Sequence, residues 1–370
     1  MKRKPVSDKV KKTPATPAPV APAAAGDGAE LTWFSPSDKP FRVLGMGWQM
    51  PAGAFRRMPL KPKRVLPEGV DVQAWHTAGV QVRFRTTARR IALRVKLNGT
   101  HSMDHFTATG QCGFDAYIGE IGAMTFAGVT RFSRGVDAYQ VTLCNFPTAE
   151  LRTVTINFPL YIGVESVAIG LSTGSRLTAA PRPSGKRPVV VYGTSITQGG
   201  CASRPGMAYT NILSRRIDYE FCNLGFSGSG RGEPEVAEVI ATMPPPALFV
   251  MDYEANCHVL ETMQATLPVF LGILRKHWPQ TQILVVSKIP YAAEAYDTAA
   301  QQRRLANRDF QKQTVARLRG AGDARITFLD GSGLLGADYT ECSVDGAHQT
   351  DLGFLRMANG LEKPLRKLLK

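Results

Sequence analysis

The chain has 370 residues, 44% of them apolar, and a formal net charge of +15. The length favours two domains over one, and the apolar share is ordinary for globular cores. No apolar run approaches the ~18 residues that span a bilayer, which argues against an integral membrane protein.

Residues 1–30 are basic, then Pro/Ala-rich, with Pro14, Pro17, Pro19 and Pro22 and no aromatic side chain. Lys2, Arg3, Lys4, Lys9, Lys11 and Lys12 against Asp8 place +5 within the first twelve residues. Such a segment buries too little surface to fold and is predicted to be a disordered tail. It starts like a secretory leader, but prolines interrupt what should be an apolar stretch. No signal peptide is assigned, and the cytoplasm is the expected compartment.

From about 31 to 180 the pattern has period two. Val80, Val82 and Phe84 alternate with Gln81, Arg83 and Arg85; Ile91, Leu93, Val95 and Leu97 alternate with Ala92, Arg94 and Lys96. With Thr86 to Arg90 between them, these runs predict an antiparallel hairpin with one solvated face. Further short strands are predicted around 113–118, 138–144, 153–158 and 166–171. Many short strands without a long helix imply an all-β sandwich, jelly-roll-like. Arg83, Arg85, Arg89 and Arg90 fall on its wet face. A nucleic-acid surface would want a clustered basic stripe interleaved with aromatics, which is not found. Trp33, Trp48 and Trp75 could form a stacking platform but are expected as buried aromatics.

Residues 178–187 read as a short Pro-rich linker. Beyond it, from 187 to 370, strands predicted at 188–192, 219–224, 247–252, 282–287 and 325–329 alternate with helices at about 206–217, 233–243, 260–277, 297–319 and 351–369. This order implies right-handed crossovers and a doubly wound parallel sheet of about five strands. The cysteines (112, 144, 201, 222, 257 and 342) show no metal-like spacing and are expected as buried free thiols, with a Cys201–Cys222 bridge left open.

Val189-Val190-Val191-Tyr192 reads as a strand buried on both faces, and it breaks at Gly193-Thr194-Ser195. A serine there sits at the carboxyl edge of the sheet, where open α/β proteins place ligands. Alone, the turn reads better as a helix cap than as a nucleophile. A nucleophilic serine also needs a base, a group that orients the base, and donors for the oxyanion. Each has a candidate beyond a strand end: Gly225 to Gly230 after the second, Asn256 after the third, and Asp345-Gly-Ala-His348 after the fifth. Asp252 and His258 are rival partners in the Asn256 loop. The glycine run does not have dinucleotide-loop spacing, and no Walker lysine follows Ser195.

Serine, glycine, asparagine and Asp-x-x-His, in this order, resemble the four blocks of the SGNH (GDSL-type) hydrolases. The resemblance covers about 187–370 and implies a flavodoxin-like, three-layer domain. Gly-Thr-Ser-Ile-Thr-Gln-Gly-Gly is similar to one subgroup, in which Gly113-Phe-Asp115-Ala-Tyr117 resembles the GxDLY motif of a preceding β-sandwich; Asn157 to Ser166 resembles another of its segments. By resemblance, Ser195 is the nucleophile, His348 the general base and Asp345 its orienting acid. The Ser195 N–H, Gly228 N–H and Asn256 side chain would form the oxyanion hole.

Departures are Thr194 for the usual aspartate, Ala116 for leucine, Glu254 for a glycine, and Cys257 after the asparagine. The expected activity is hydrolysis of a short-chain O-acyl ester of a carbohydrate or small polar molecule, with no metal or cofactor. An acyltransferase using the same serine chemistry, and a carbohydrate-binding protein with an inert second half, are the alternatives. Oligomeric state is not readable.

Overall fold

The computed structural model describes residues 30–370, so the tail predicted over 1–30 lies outside the described residues but for Glu30. Ten strands come first: β1 (Leu31–Phe34), β2 (Arg42–Leu44), β3 (Gln81–Thr86), β4 (Arg90–Leu97), β5 (Asp115–Ile118), β6 (Thr125–Val129), β7 (Ala138–Asn145), β8 (Arg152–Asn157), β9 (Val164–Ser172) and β10 (Leu177–Thr178). Two short helices, α1 (Glu68–Gln73) and α2 (Ala108–Cys112), interrupt them. One sheet runs β1-β9-β4-β7 and the other β10-β3-β8-β5-β6, with β2 also on β3; every pairing is antiparallel. Phe84 and Ile156 from one sheet meet Leu93 and Ile169 from the other in a shared core.

The expected β3–β4 hairpin does not form. β3 pairs with β8 (Phe84 opposite Val154), whereas β4 lies between β9 and β7. The intervening turn carries the chain across the core from one sheet to the other. Both strands still alternate, because each turns one face to that core. The outer face of β3 is also not wet: Arg83 is only 2% exposed. It is covered by the second half of the chain, where Gln81 Nε2 donates to Ser214 Oγ at 3.0 Å.

The second half forms β11 (Val189–Gly193), β12 (Phe221–Gly225), β13 (Leu248–Asp252), β14 (Gln282–Val286) and β15 (Ile326–Leu329), with α3 (Ser195–Gln198), α4 (Tyr209–Arg216), α5 (Pro234–Ile240), α6 (Leu260–His277), α7 (Thr298–Gly320) and α8 (Asp351–Leu368). The strand order β12-β11-β13-β14-β15 is all parallel and flavodoxin-like. Val189 and Val191 pack with Ile212 and Phe354 of α4 and α8; Val190 and Tyr192 pack with Val236 and Phe270 of α5 and α6. Burial on both faces explains the unbroken apolar run. The connection after β11 runs through α4 on one face to β12, and that after its neighbour β13 runs through α6 on the other face to β14, so a crevice opens at the carboxyl ends of β11 and β13.

All six cysteines are buried free thiols, and Cys201 is not bridged to Cys222. The three tryptophans are not buried as expected. Trp75 is 41% exposed and Trp33 and Trp48 are half-buried, each with its own partner: Arg56 and Arg94 stack on Trp75 and Trp33, and Trp48 donates to Thr242. No helix among the described residues is long and apolar enough to cross a membrane.

Candidate active site

The turn after β11 reconciles the two readings of Gly193-Thr194-Ser195. Thr194 is the cap: its hydroxyl accepts from Ile196 N at 3.3 Å. Ser195 is therefore the first residue of α3, where the helix itself cannot satisfy the backbone N–H. Its hydroxyl points instead to His348, with Oγ 3.0 Å from Nε2.

His348 belongs to a turn held by its own backbone. Val344 N donates to His348 O at 2.8 Å, and Gly346 takes the left-handed φ of +87°. Asp345 Oδ2 lies 2.7 Å from His348 Nδ1, while Oδ1 accepts the Ala347 and His348 N–H groups at 3.0 and 2.7 Å. Partial burial would raise this carboxyl, but these bonds outweigh it and hold it down at about 2. The carboxylate thus orients the ring so that Nε2 meets the serine, as a proton-relay base requires.

The glycine loop lies against the same serine. Gly225 ends β12 beside Gly193, and Gly228 turns at φ +65°. Asn256 Nδ2 donates to Phe226 O at 3.3 Å and Gly230 O at 3.1 Å, stapling the loop from the β13 side. Ser195, Gly228, Asn256 and His348 all line one cavity of about 520 Å³.

Residues 186–366 match the GDSL-like Lipase/Acylhydrolase family, and residues 31–177 match the GxDLY model, the N-terminus of Esterase_SGNH_hydro-type. The chain belongs to the GDSL/SGNH hydrolases. A GDSL-like lipase from Bacteroides ovatus is similar in structure, at 29% identity and TM-score 0.84 over 92% of this chain and 98% of that one. A salicylyl-acyltransferase from a tetracycline biosynthetic pathway has 18% identity and TM-score 0.71 (91% and 97% covered). A family two carbohydrate esterase from Cellvibrio japonicus has 15% identity and TM-score 0.59 (92% and 98% covered). At those two identities the likeness is one of fold. No curated protein matches the sequence.

The GxDLY aspartate has a structural task. Asp115 is fully buried and accepts from Arg204 Nη1 and Gly206 N, both at 2.8 Å, and from Asn157 Nδ2 at 2.7 Å. It fastens the sandwich to the segment joining α3 and α4. Arg204 also donates to the Tyr117 hydroxyl at 2.6 Å, so both polar motif residues grip the same arginine. Ala116, which departs from the motif's leucine, is buried in the sandwich core.

Several contributors were not foreseen. Arg57 is buried behind the glycine loop, and burial lowers its guanidinium to about 9. It donates to Gly225 O, Asn223 O, His76 O and Gln73 O. Gln198 Oε1 accepts the Ser227 N–H at 3.0 Å, and Tyr161 donates to Ser195 O at 3.3 Å. Nothing in the periodicity marks these residues, because their partners are backbone groups far away in the chain.

Of the rivals, Asp252 accepts from Tyr209 and Thr197 at 2.7 and 3.1 Å and so braces α3; burial pushes its carboxyl up to about 6. His258 lines the cavity, but the hydroxyl of Ser195 is paired with His348. One donor set among the described residues could gather around a metal: His105, Cys201 and His348, within 4.8 Å of one another. Of its two histidines, His348 is already bonded to Ser195 and Asp345, so an ion there would compete with that arrangement.

Glu254, at the family's usual glycine position, is 2% exposed. Its Oε2 accepts from Lys288 N and Gln311 Nε2, both at 2.6 Å, and its Oε1 has no hydrogen-bond partner among the described residues. Burial pushes this carboxyl up to about 7 against those bonds and the nearby cations.

Proposed function

We propose that the protein is a serine esterase that cleaves a short-chain O-acyl ester of a carbohydrate or small polar molecule through an acyl-enzyme on Ser195. The observation that carries this reading is the relay Ser195 Oγ–His348 Nε2 at 3.0 Å and His348 Nδ1–Asp345 at 2.7 Å. Ser195 Oγ attacks the acyl carbon while His348 Nε2 takes the hydroxyl proton. The imidazolium, steadied by Asp345, then passes that proton to the departing alcohol oxygen. Water enters, gives a proton to His348 and its oxygen to the acyl carbon; Ser195 leaves reprotonated with the free acid.

The negative oxygen of each tetrahedral intermediate is received by the N–H groups of Ser195 and Gly228. Asn256 serves as a third donor by trading its longer bond, to Phe226 O at 3.3 Å. Loss of one such donor costs about 3 kcal/mol in the barrier. The carbohydrate part of the reading draws support from the carbohydrate-esterase fold likeness.

The test compares wild type with Ser195→Ala on aryl esters of increasing acyl length, with and without alcohol acceptors. Turnover confined to the wild type, with free acid as product, is expected. Equal turnover in the two proteins overturns the nucleophile. Ester formed in preference to acid moves the reading to an acyltransferase, and glycan binding without turnover to a binding protein.

A further inference from the structure

The cavity that holds Ser195 is strongly basic. Arg231, Lys288, Arg303 and Arg304 line it, against Glu254 as the one carboxyl among its described lining residues. Neighbouring acids compensate only part of this charge. Arg304 pairs with Glu294 at 2.6 Å and Lys288 shares that carboxylate at 3.7 Å, so two cations meet one acid. Arg303 is 3.8 Å from Asp297.

Arg231 is the most telling of the four. Its Nε donates to Gly228 O at 2.8 Å, tying the guanidinium to the loop beside the nucleophile. That bond leaves the Nη1/Nη2 edge of an exposed side chain, with no ion-pair partner among the described residues. A planar fork of this kind suits a carboxylate bidentately. The Lys288 ammonium sits 3.8 Å over the Tyr291 ring on a mostly buried stem, and desolvation lowers its affinity for a proton against the pull of Glu294 and Glu254. A desolvated cation gains more than a hydrated one from an arriving anion. A neutral acetyl ester would use none of this.

We propose that the cleft selects esters bearing a second, carboxylate-type anionic group, which Arg231 and Lys288 hold while Ser195 attacks the ester. The proposal rests on the serine-esterase reading and adds its substrate class. Clefts lined by one sign of charge raise the encounter rate of an oppositely charged substrate, and the effect falls with salt.

The test uses the whole chain and matched pairs of esters. For a carboxylate on the acyl side, an aryl hemisuccinate is compared with its neutral methyl ester. For one on the alcohol side, 4-acetoxybenzoate is compared with its methyl ester. At low ionic strength, the anionic member of at least one pair is expected to exceed its neutral partner in kcat/KM by about tenfold or more. The ratio should shrink toward one in 0.5 M NaCl, and in Arg231→Gln and Lys288→Met, but survive in Arg176→Gln, outside the cleft. The salt response of wild type needs no variant to fold. Ratios near one in both pairs, with turnover still dependent on Ser195, overturn the proposal and leave the esterase reading standing. A preference that survives both cleft substitutions overturns it as well. Absence of Ser195-dependent turnover on every ester removes the reading and the proposal together.

Discussion

Arg57 Nη1 donates to the carbonyl of Gly225 at 2.7 Å, joining the segment between β2 and α1 to the strand end that launches the glycine loop. The guanidinium meets no carboxylate among its hydrogen-bond partners; its charge is solvated by four backbone carbonyls, of which Gln73 O also accepts the His76 N–H at 3.0 Å. Arg57→Met should therefore lower unfolding free energy by about 2–5 kcal/mol and also depress kcat, because the loop loses its support. Urea unfolding with kcat measured below the melting range checks both effects. A variant of wild-type stability and rate would show that the carbonyls find other donors.

Gly225 and Gly228 should respond differently to alanine although they share a loop. A Cβ at Gly225 would lie 2.2 Å from Gln198 N and 2.7 Å from Thr197 C, so α3 and with it Ser195 must move. A misplacement of that kind costs about a hundredfold in rate. A Cβ at Gly228 meets nothing within 4 Å, and only its φ of +65° is strained. Gly228→Ala should cost about 1–2 kcal/mol of stability and less rate than Gly225→Ala. Parallel kinetics and thermal melts decide the order.

Asp345→Asn keeps the shape of the turn but removes the charge and misdirects the histidine tautomer. A fall in kcat of about 10³–10⁴-fold is expected, with little change in KM. The carboxyl is held down at about 2 in the fold, below its ordinary value. Its stability contribution is hence complete above the unfolded value of about 4 and is lost as pH falls through the folded value. Melting temperature followed from pH 5 to pH 2 should drop more steeply in wild type than in Asp345→Asn. Parallel curves would show that the hydrogen bonds around Asp345 do not stabilise its charge.

What could be read from sequence was local. Val189 to Tyr192 announces a strand covered on both faces because every second residue packs on the opposite helix layer, and Asp345-x-x-His348 closes within one turn. The β3–β4 connection was misread because a strand that crosses a sandwich keeps the same alternation as one that turns back beside its neighbour. The burial of Arg83 was missed because its partners, Pro181 O and Glu120, are distant in the chain. Arg57 left no trace, since carbonyl acceptors have no residue signature. The GxDLY motif marked Asp115 without saying why, and only the contacts with Arg204 and Gly206 supply the reason.

That reason makes a prediction of its own. Asp115→Ala would leave Arg204, the Gly206 N–H and Asn157 without their buried acceptor, at a cost of about 3–5 kcal/mol. Removing both partners should cost less than the sum of the single losses, so a double-mutant cycle with Arg204→Ala should give a coupling of at least about 1 kcal/mol. Additive losses in denaturant unfolding would mean that the sandwich is fastened elsewhere.

Glu254 should act in the opposite pH direction to Asp345. Its folded value of about 7 lies above the ordinary carboxyl range, and burial is the main cause. The stability it contributes is full below the unfolded value of about 4 and is lost as pH rises through the folded value, a loss on the order of 3 kcal/mol by pH 8. Glutamine at this position carries no charge to desolvate. It also places an N–H₂ donor where Glu254 Oε1 has no hydrogen-bond partner, in a cluster where Asn307 Oδ1 and Gln311 Oε1 are likewise unpartnered acceptors among the described residues. Glu254→Gln should match wild type at pH 4 to 5 and become progressively more stable than it toward pH 8. Asp252, raised to about 6, adds the same slope to both proteins and cancels in the comparison. Guanidinium unfolding at four pH values measures the difference. A gap that does not widen between pH 5 and pH 8 would mean that Glu254 is ionised throughout, with its charge met by Lys288 and Arg304.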